Sequence, residues 1–149
     1  MSAGHVHNIA TSVASGAVLA LAAVNHSYDL ATVAAGIAVG LLLSPDLDVR
    51  HGSVSNTNFR QIARPLALPW KVIWWVYARL IPCHRHWLSH APIIGTLGRL
   101  LYLSPWMLLP YLVFDFPPEW SWPYLALAAA GLGISDILHW LMDGMPLYR

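Results

Sequence analysis

From Asn8 to Pro45 the chain carries one formal charge, Asp29, and the stretches 92–114 and 121–142 carry one each, Arg99 and Asp136. Four charge-poor apolar segments result, at roughly 8–25, 30–45, 92–114 and 121–142. A membrane-spanning helix needs about 20 residues, with a range of about 17–25. The first, third and fourth segments meet that length, and the second is short. Charged residues make up 10% of the 149 and hydrophobic ones 57%, against roughly 25% charged in an ordinary soluble domain. A soluble domain this small has too much surface to cover with so few charges, whereas a bilayer accepts apolar surface directly. The expected fold is therefore all-α: one domain over residues 1–149, an integral membrane bundle of about four transmembrane helices.

The first two segments are rich in Ala, Gly, Ser and Thr (ASGAVLALAA, ATVAAGIAVG). Small residues let helix backbones approach closely in lipid. Pro45 is expected to end the second segment, because proline disfavours the α conformation in the residue before it. Trp70, Trp74, Trp75 and Trp87, with Trp120 and Trp122 near another boundary, fit aromatic belts at two membrane–water interfaces. The stretch from Trp70 to Ile81 reads as a helix lying in the interface or re-entering it. Arg50, Arg60, Arg64, Lys71, Arg79 and Arg85 all fall between the second and third segments, while the connections at 26–29 and 115–120 carry only acids. The positive-inside rule places that basic middle segment, and with it both termini, in the cytoplasm. The N-terminus lacks the basic region and short core of a signal peptide, so the first segment is expected to be retained. The net charge of +1 makes no case for a nucleic-acid partner, and a single cysteine, Cys83, excludes a disulfide framework or a thiolate zinc site.

Histidines equal Lys plus Arg in number, eight of each, and they gather with aspartates in four places. His5 and His7 precede or open the first segment. Asp46 and Asp48 follow the second, in SPDLD. His84, His86 and His90 lie in HRHWLSH before the third, and Asp136, His139 and Asp143 lie near the end of the fourth. Alternating spans bring all four groups to one membrane face, and His26 falls at the other. His5, His26 and His51, taken singly, read as solvated interfacial residues. Two carboxylates at a helix C-terminus meet the negative end of its dipole, a penalty that a bound cation reverses. Imidazoles with carboxylates and no thiolates suit zinc, manganese or non-haem iron, in an open or multinuclear site more than a closed structural one. Asp136, His139 and Asp143, at spacings of three and four, share a helix face. Arg99 and Asp136 each sit seven residues from a common boundary, about 10 Å along a helix, so an ion pair between the third and fourth helices is expected. Spacing leaves open whether His84 or His86 joins His90.

SPDLD, then WKVIWWVYARLIP, then HRHWLSHAPIIGTLGRLLYL resembles a family of small bacterial membrane proteins described as uncharacterised metal-binding proteins. That family is distantly similar to inner-membrane-associated metal-dependent hydrolases, and through them to the helical zinc-dependent phospholipase C and single-strand nuclease superfamily. The resemblance implies His7, Asp46, Asp48, His84, His90, His139 and Asp143 as metal ligands, with zinc the leading ion. It favours His84 over His86, where a small polar residue is more usual. Asn8 stands where the family commonly has an aspartate. The implied function is hydrolysis of a phosphoester or lipid phosphate at the cytoplasmic surface of the inner membrane. Asp48, or Asp46, would act as general base there, and Arg85 would hold the phosphate. The alternative is a non-catalytic, metal-stabilised subunit of a larger membrane assembly. Transport fits less well, since transporter sites lie near the bilayer midplane.

Overall fold

The computed structural model describes residues 4–49, 53–84, 86–114 and 122–144, with the side chains of 107–114 excepted. Its regular elements are α1 (Gly4–Asn25), α2 (Tyr28–Val39), a 3-10 turn (Pro45–Asp48), α3 (Val54–Ile62), a second 3-10 turn (Arg64–Leu66), α4 (Ala67–Leu80), α5 (Trp87–His90), α6 (Ile94–Phe114) and α7 (Trp122–Met142). No strand occurs among the described residues, so the all-α expectation holds.

Local chemistry sets the helix ends. His26 takes a left-handed conformation, with φ at 49°. Its N–H bonds to the Ala23 carbonyl and that of Ser27 to the Ala22 carbonyl, the paired bonds of a Schellman motif closing α1. Ser27 then caps α2 by accepting from the Leu30 N–H. α2 stops at Val39, short of the expected Pro45. From Gly40 the N–H groups bond three residues back, Gly40 to Ile37, Leu41 to Ala38 and Leu42 to Val39, the tighter winding common at helix ends.

α1, α2 and α7 form one packed layer. A Cβ at Gly36 of α2 would overlap the Ala128 backbone, and one at Gly131 of α7 would overlap the Val33 carbonyl. The two helices therefore pack backbone to backbone, the close approach that small residues permit. Ser15 of α1 donates to the Ala34 carbonyl of α2. Thr11 and Ser135 pair across α1 and α7.

Arg99 of α6 pairs with Asp136 of α7, the helix-to-helix ion pair expected from the sequence. Arg99 is wholly buried, and its guanidinium also donates to the Ser89 carbonyl at 3.0 Å. Thr96 donates to the same Asp136 carboxylate. Leu47 from the first 3-10 turn packs with Trp74, Tyr77 and Ile81, flanked by Tyr102 and Leu103 of α6.

The four-span expectation is met in part. Among the described residues, two helices, α1 and α7, are long and apolar enough to cross a membrane. α2 has 12 residues, about 18 Å of helix against a hydrocarbon core of about 30 Å. α6 has the length, at 21 residues, but part of its side-chain sequence lies outside the described residues. α3 is an element that hydropathy does not announce; its signal is Ser53, which accepts from the Asn56 N–H as N-cap.

Candidate metal centre

The helix packing brings together residues from four distant parts of the chain. His7 lies in the first turns of α1, Asp46 and Asp48 in the 3-10 turn, His90 at the end of α5, and His139 in the last turn of α7. Asp143 follows one residue after α7, and His84 stands in the connection before α5. Three overlapping groups have donor atoms close enough to hold an ion: His7–His139–Asp143, Asp46–His90–His139 and Asp48–His84–His90.

The first two groups meet at His139. Its Nε2 lies 3.4 Å from an Asp46 oxygen and 3.6 Å from an Asp143 oxygen. His7 Nε2 is 3.2 Å from the other Asp143 oxygen, and the His7 and His139 rings stack at 3.9 Å. His90 Nε2 stands 3.6 Å from the same Asp46 oxygen that faces His139. The Nε2 atoms of His90 and His139 are buried with no hydrogen-bond partner among the described residues. Buried polar nitrogens are nearly always satisfied. Two that converge on a carboxylate without bonding it fit a divalent cation as the missing partner, and the donor set of imidazoles and carboxylates suits one chemically.

Around Asp48 the contacts are shorter. His84 Nδ1 lies 2.8 Å from Asp48 Oδ1, and the Ser89 hydroxyl donates to Asp48 Oδ2 at 2.7 Å. That hydroxyl is also 2.9 Å from His90 Nδ1. A hydroxyl has one proton and an ionised carboxylate only accepts. With the Ser89 proton directed to Asp48, the hydrogen between Ser89 and His90 must belong to His90 Nδ1. The His90 Nε2 lone pair is thereby turned toward Asp46 and His139. Carboxylates that fix a metal-ligating histidine through its other nitrogen are a recurring device of metal sites.

Electrostatics agree with this wiring. Burial disfavours the charged form of Asp48, but hydrogen bonds from His84, His90 and Ser89 outweigh it and hold the carboxyl down at about 2. Burial likewise opposes ionisation of Asp46, and the facing His139 and His90 imidazoles reverse it, leaving the carboxyl well below the usual range. For His90, burial lowers the pKa, yet the Asp46 and Asp48 carboxylates win and the net shift is upward. The carboxylates that favour a proton on His90 would equally favour a cation at the same place.

Every residue expected as a ligand lies in this cluster. His86 does not: its Nδ1 accepts from the Leu88 N–H at 3.2 Å, making it the N-cap of α5. Asn8 lines a small cavity beside His7, Asp46 and His139. His5 and His26 are exposed. Arg85 and His51 lie outside the described residues. Ser89, which no motif singled out, connects the Asp48 carboxylate to the Arg99–Asp136 pair; the only sequence hint is its place in the HWLSH run.

No curated protein and no solved structure matches the chain significantly. The family model described as Uncharacterized metal-binding protein (DUF2227) matches residues 2–129, a span that includes His7, Asp46, Asp48, His84 and His90 and stops before His139. With most of its length inside that match, the chain belongs to this family of uncharacterized metal-binding proteins.

Proposed function

We propose that the protein is a membrane-bound metal-dependent hydrolase, its ion held between His7, Asp46, His90, His139 and Asp143. Zinc is the ion the imidazole-rich, thiolate-free set favours, and a phosphoester at the cytoplasmic membrane surface is the substrate class. The observation that carries the reading is the mixed donor cluster, buried at His90 and His139 and opening on one side, where Asp46 is 23% exposed. When bound there, a divalent ion supplies Lewis acidity and an activated water.

The protein's own groups divide the remaining work. Asp48 and Ser89 fix the His90 tautomer. Asp48 is enclosed, with 0% of its side chain exposed, and it already accepts from His84 and Ser89. The general-base role expected of Asp48 therefore passes to Asp46, the exposed member of the pair. The cavity beside Asp46, lined also by Asn8, Ser44 and Ser135, has about 10 Å³ open to a water centre, close to the minimum for one water. It is the place from which a water could lose a proton to Asp46.

Location rests on two supports. The faces of α1 and α7 are largely unburied although strongly apolar, and contiguous exposed apolar surface marks contact with a membrane or partner. The basic residues cluster between α2 and α6, which favours the cytoplasmic side of a bacterial inner membrane, with both termini on that side.

A specific observation also favours a second reading, a metal-stabilised subunit of a larger assembly. The ligands come from four separate parts of the chain, so an ion would tie the helix ends together whether or not it does chemistry. Metal analysis of the purified protein separates the readings when combined with hydrolysis assays on a panel of chromogenic phosphomonoesters and phosphodiesters. The expected result is about one ion per chain, lost in His90→Ala, with hydrolysis abolished in Asp46→Asn. Metal-free wild type would sink both readings, and bound metal without hydrolysis across the panel would leave the structural one.

A further inference from the structure

The connection between α2 and α6 uses its aspartates and histidines in the metal centre, yet Arg60, Arg64 and Lys71 take no part there. These three side chains line a separate groove of about 920 Å³ between α3 and α4, within the ~300–1,000 Å³ range of small-molecule sites. The groove is held open by its own walls. Trp70 stacks on Phe59 at 3.9 Å, with the rings 4° from parallel, and its Nε1 donates to Asn56 Oδ1 at 3.1 Å. Trp74 is buried behind it and packs on Leu47, the residue between the two aspartates of the metal centre.

The groove is positive. Among the described residues, no acidic side chain lines it and none of its three cations pairs with a carboxylate. Asn56 and Gln61 add amide groups to the lining. Beside these polar groups the surface turns apolar: Leu68, Val72 and Trp75 are exposed, and Arg79 lies 4.0 Å over the Trp75 ring. A free anion would satisfy the cations and leave that apolar ridge uncovered. A ligand with an anionic head and an apolar body covers both.

We propose that the α3–α4 groove binds the phosphate headgroup of an anionic phospholipid, with its acyl chains lying along Leu68, Val72 and Trp75. The inference rests on the membrane location proposed above and not on hydrolysis.

The test uses the full metal-loaded chain in neutral detergent, with native mass spectrometry counting retained lipid after addition of phosphatidylglycerol or phosphatidylcholine. Wild type is expected to retain phosphatidylglycerol preferentially. Each cation removed should weaken retention by about fivefold, so the double variant Arg60→Gln/Arg64→Gln loses most of it, with metal content unchanged as a check on folding. Lys71→Gln, on α4, gives a second, independent position. Equal retention of phosphatidylcholine, wild-type retention in the variants, or displacement by equimolar inorganic phosphate would each overturn the proposal. Whether the native protein resists alkaline extraction from membranes is scored separately, so a failure of the membrane reading is distinguishable from a failure of lipid selectivity.

Discussion

Ser89 answers to four neighbours at once. Its hydroxyl donates to Asp48 and faces His90 Nδ1, while its carbonyl accepts from Arg99 and lies so close to Gly95 that a Cβ there would overlap it. Through it, the carboxylate that orients His90 is tied to the backbone of α5. Asp48→Asn tests that role. An amide can donate as well as accept, so it no longer forces the hydrogen onto His90 Nδ1. Metal affinity measured by chelator competition is expected to fall about 10–100-fold, with helical circular dichroism retained. Affinity equal to wild type would show that Asp48 does not orient the ligand. The choice between His84 and His86 also belongs to this scale. Periodicity could not make it, because the segment before α5 is irregular; the structure makes it by giving His86 the Leu88 N–H to cap and His84 the Asp48 carboxylate.

Between elements, the Arg99–Asp136 pair holds α6 against α7. It was legible in the sequence because each helix carries a single charge, at matched depth from the same end, and an unpaired charge in an apolar bundle is costly. Asp136→Leu leaves the wholly buried Arg99 without its counter-charge, a change that costs about 3–5 kcal/mol. Unfolding of the variant in detergent should show that loss, and Arg99→Met added to it should recover most of it. A double variant no better than the single one would mean that Arg99 is held mainly by the Ser89 carbonyl. The early end of α2 was not legible. Pro45 is the strong local signal, but the tightening begins at Gly40, where a Cβ would overlap the Ser135 side chain of α7. That constraint comes from a residue 95 positions away.

At the scale of the whole molecule, protons and metal compete for one site. The upward shift of His90 stabilises the metal-free fold fully below the ordinary imidazole value of 6.5, and that contribution fades as pH rises through the shifted value. Metal binding needs the deprotonated nitrogen, so it strengthens over the same interval. The thermal shift produced by added zinc is therefore expected to widen as pH rises above 6.5. A shift independent of pH would place the ion away from His90. On the acid side, the depressed carboxyls contribute stability above their ordinary value of 3.8, and for Asp48 it is lost as pH falls toward about 2.

Composition and periodicity determined an all-helical chain, the small-residue faces of its early helices and the partner of Arg99. Each of these follows from local rules: hydropathy over a helix length, the spacing of residues on one face, the cost of a lone charge in apolar surroundings. Tertiary structure decided what distance and direction decide. It made Asp48 a buried acceptor from Ser89 beside His84, His86 the cap of α5, and Ser89 the link between an ion pair and the His–Asp cluster. It also gathered Arg60, Arg64 and Lys71 into an aromatic groove between α3 and α4. A hydrogen bond depends on ångström placement of atoms from elements far apart in the chain, and residue identity alone does not carry that placement. So too with the cluster of histidines and aspartates: the family resemblance implies its members, and the packing of α1, α2, α5 and α7 sets their separate contacts.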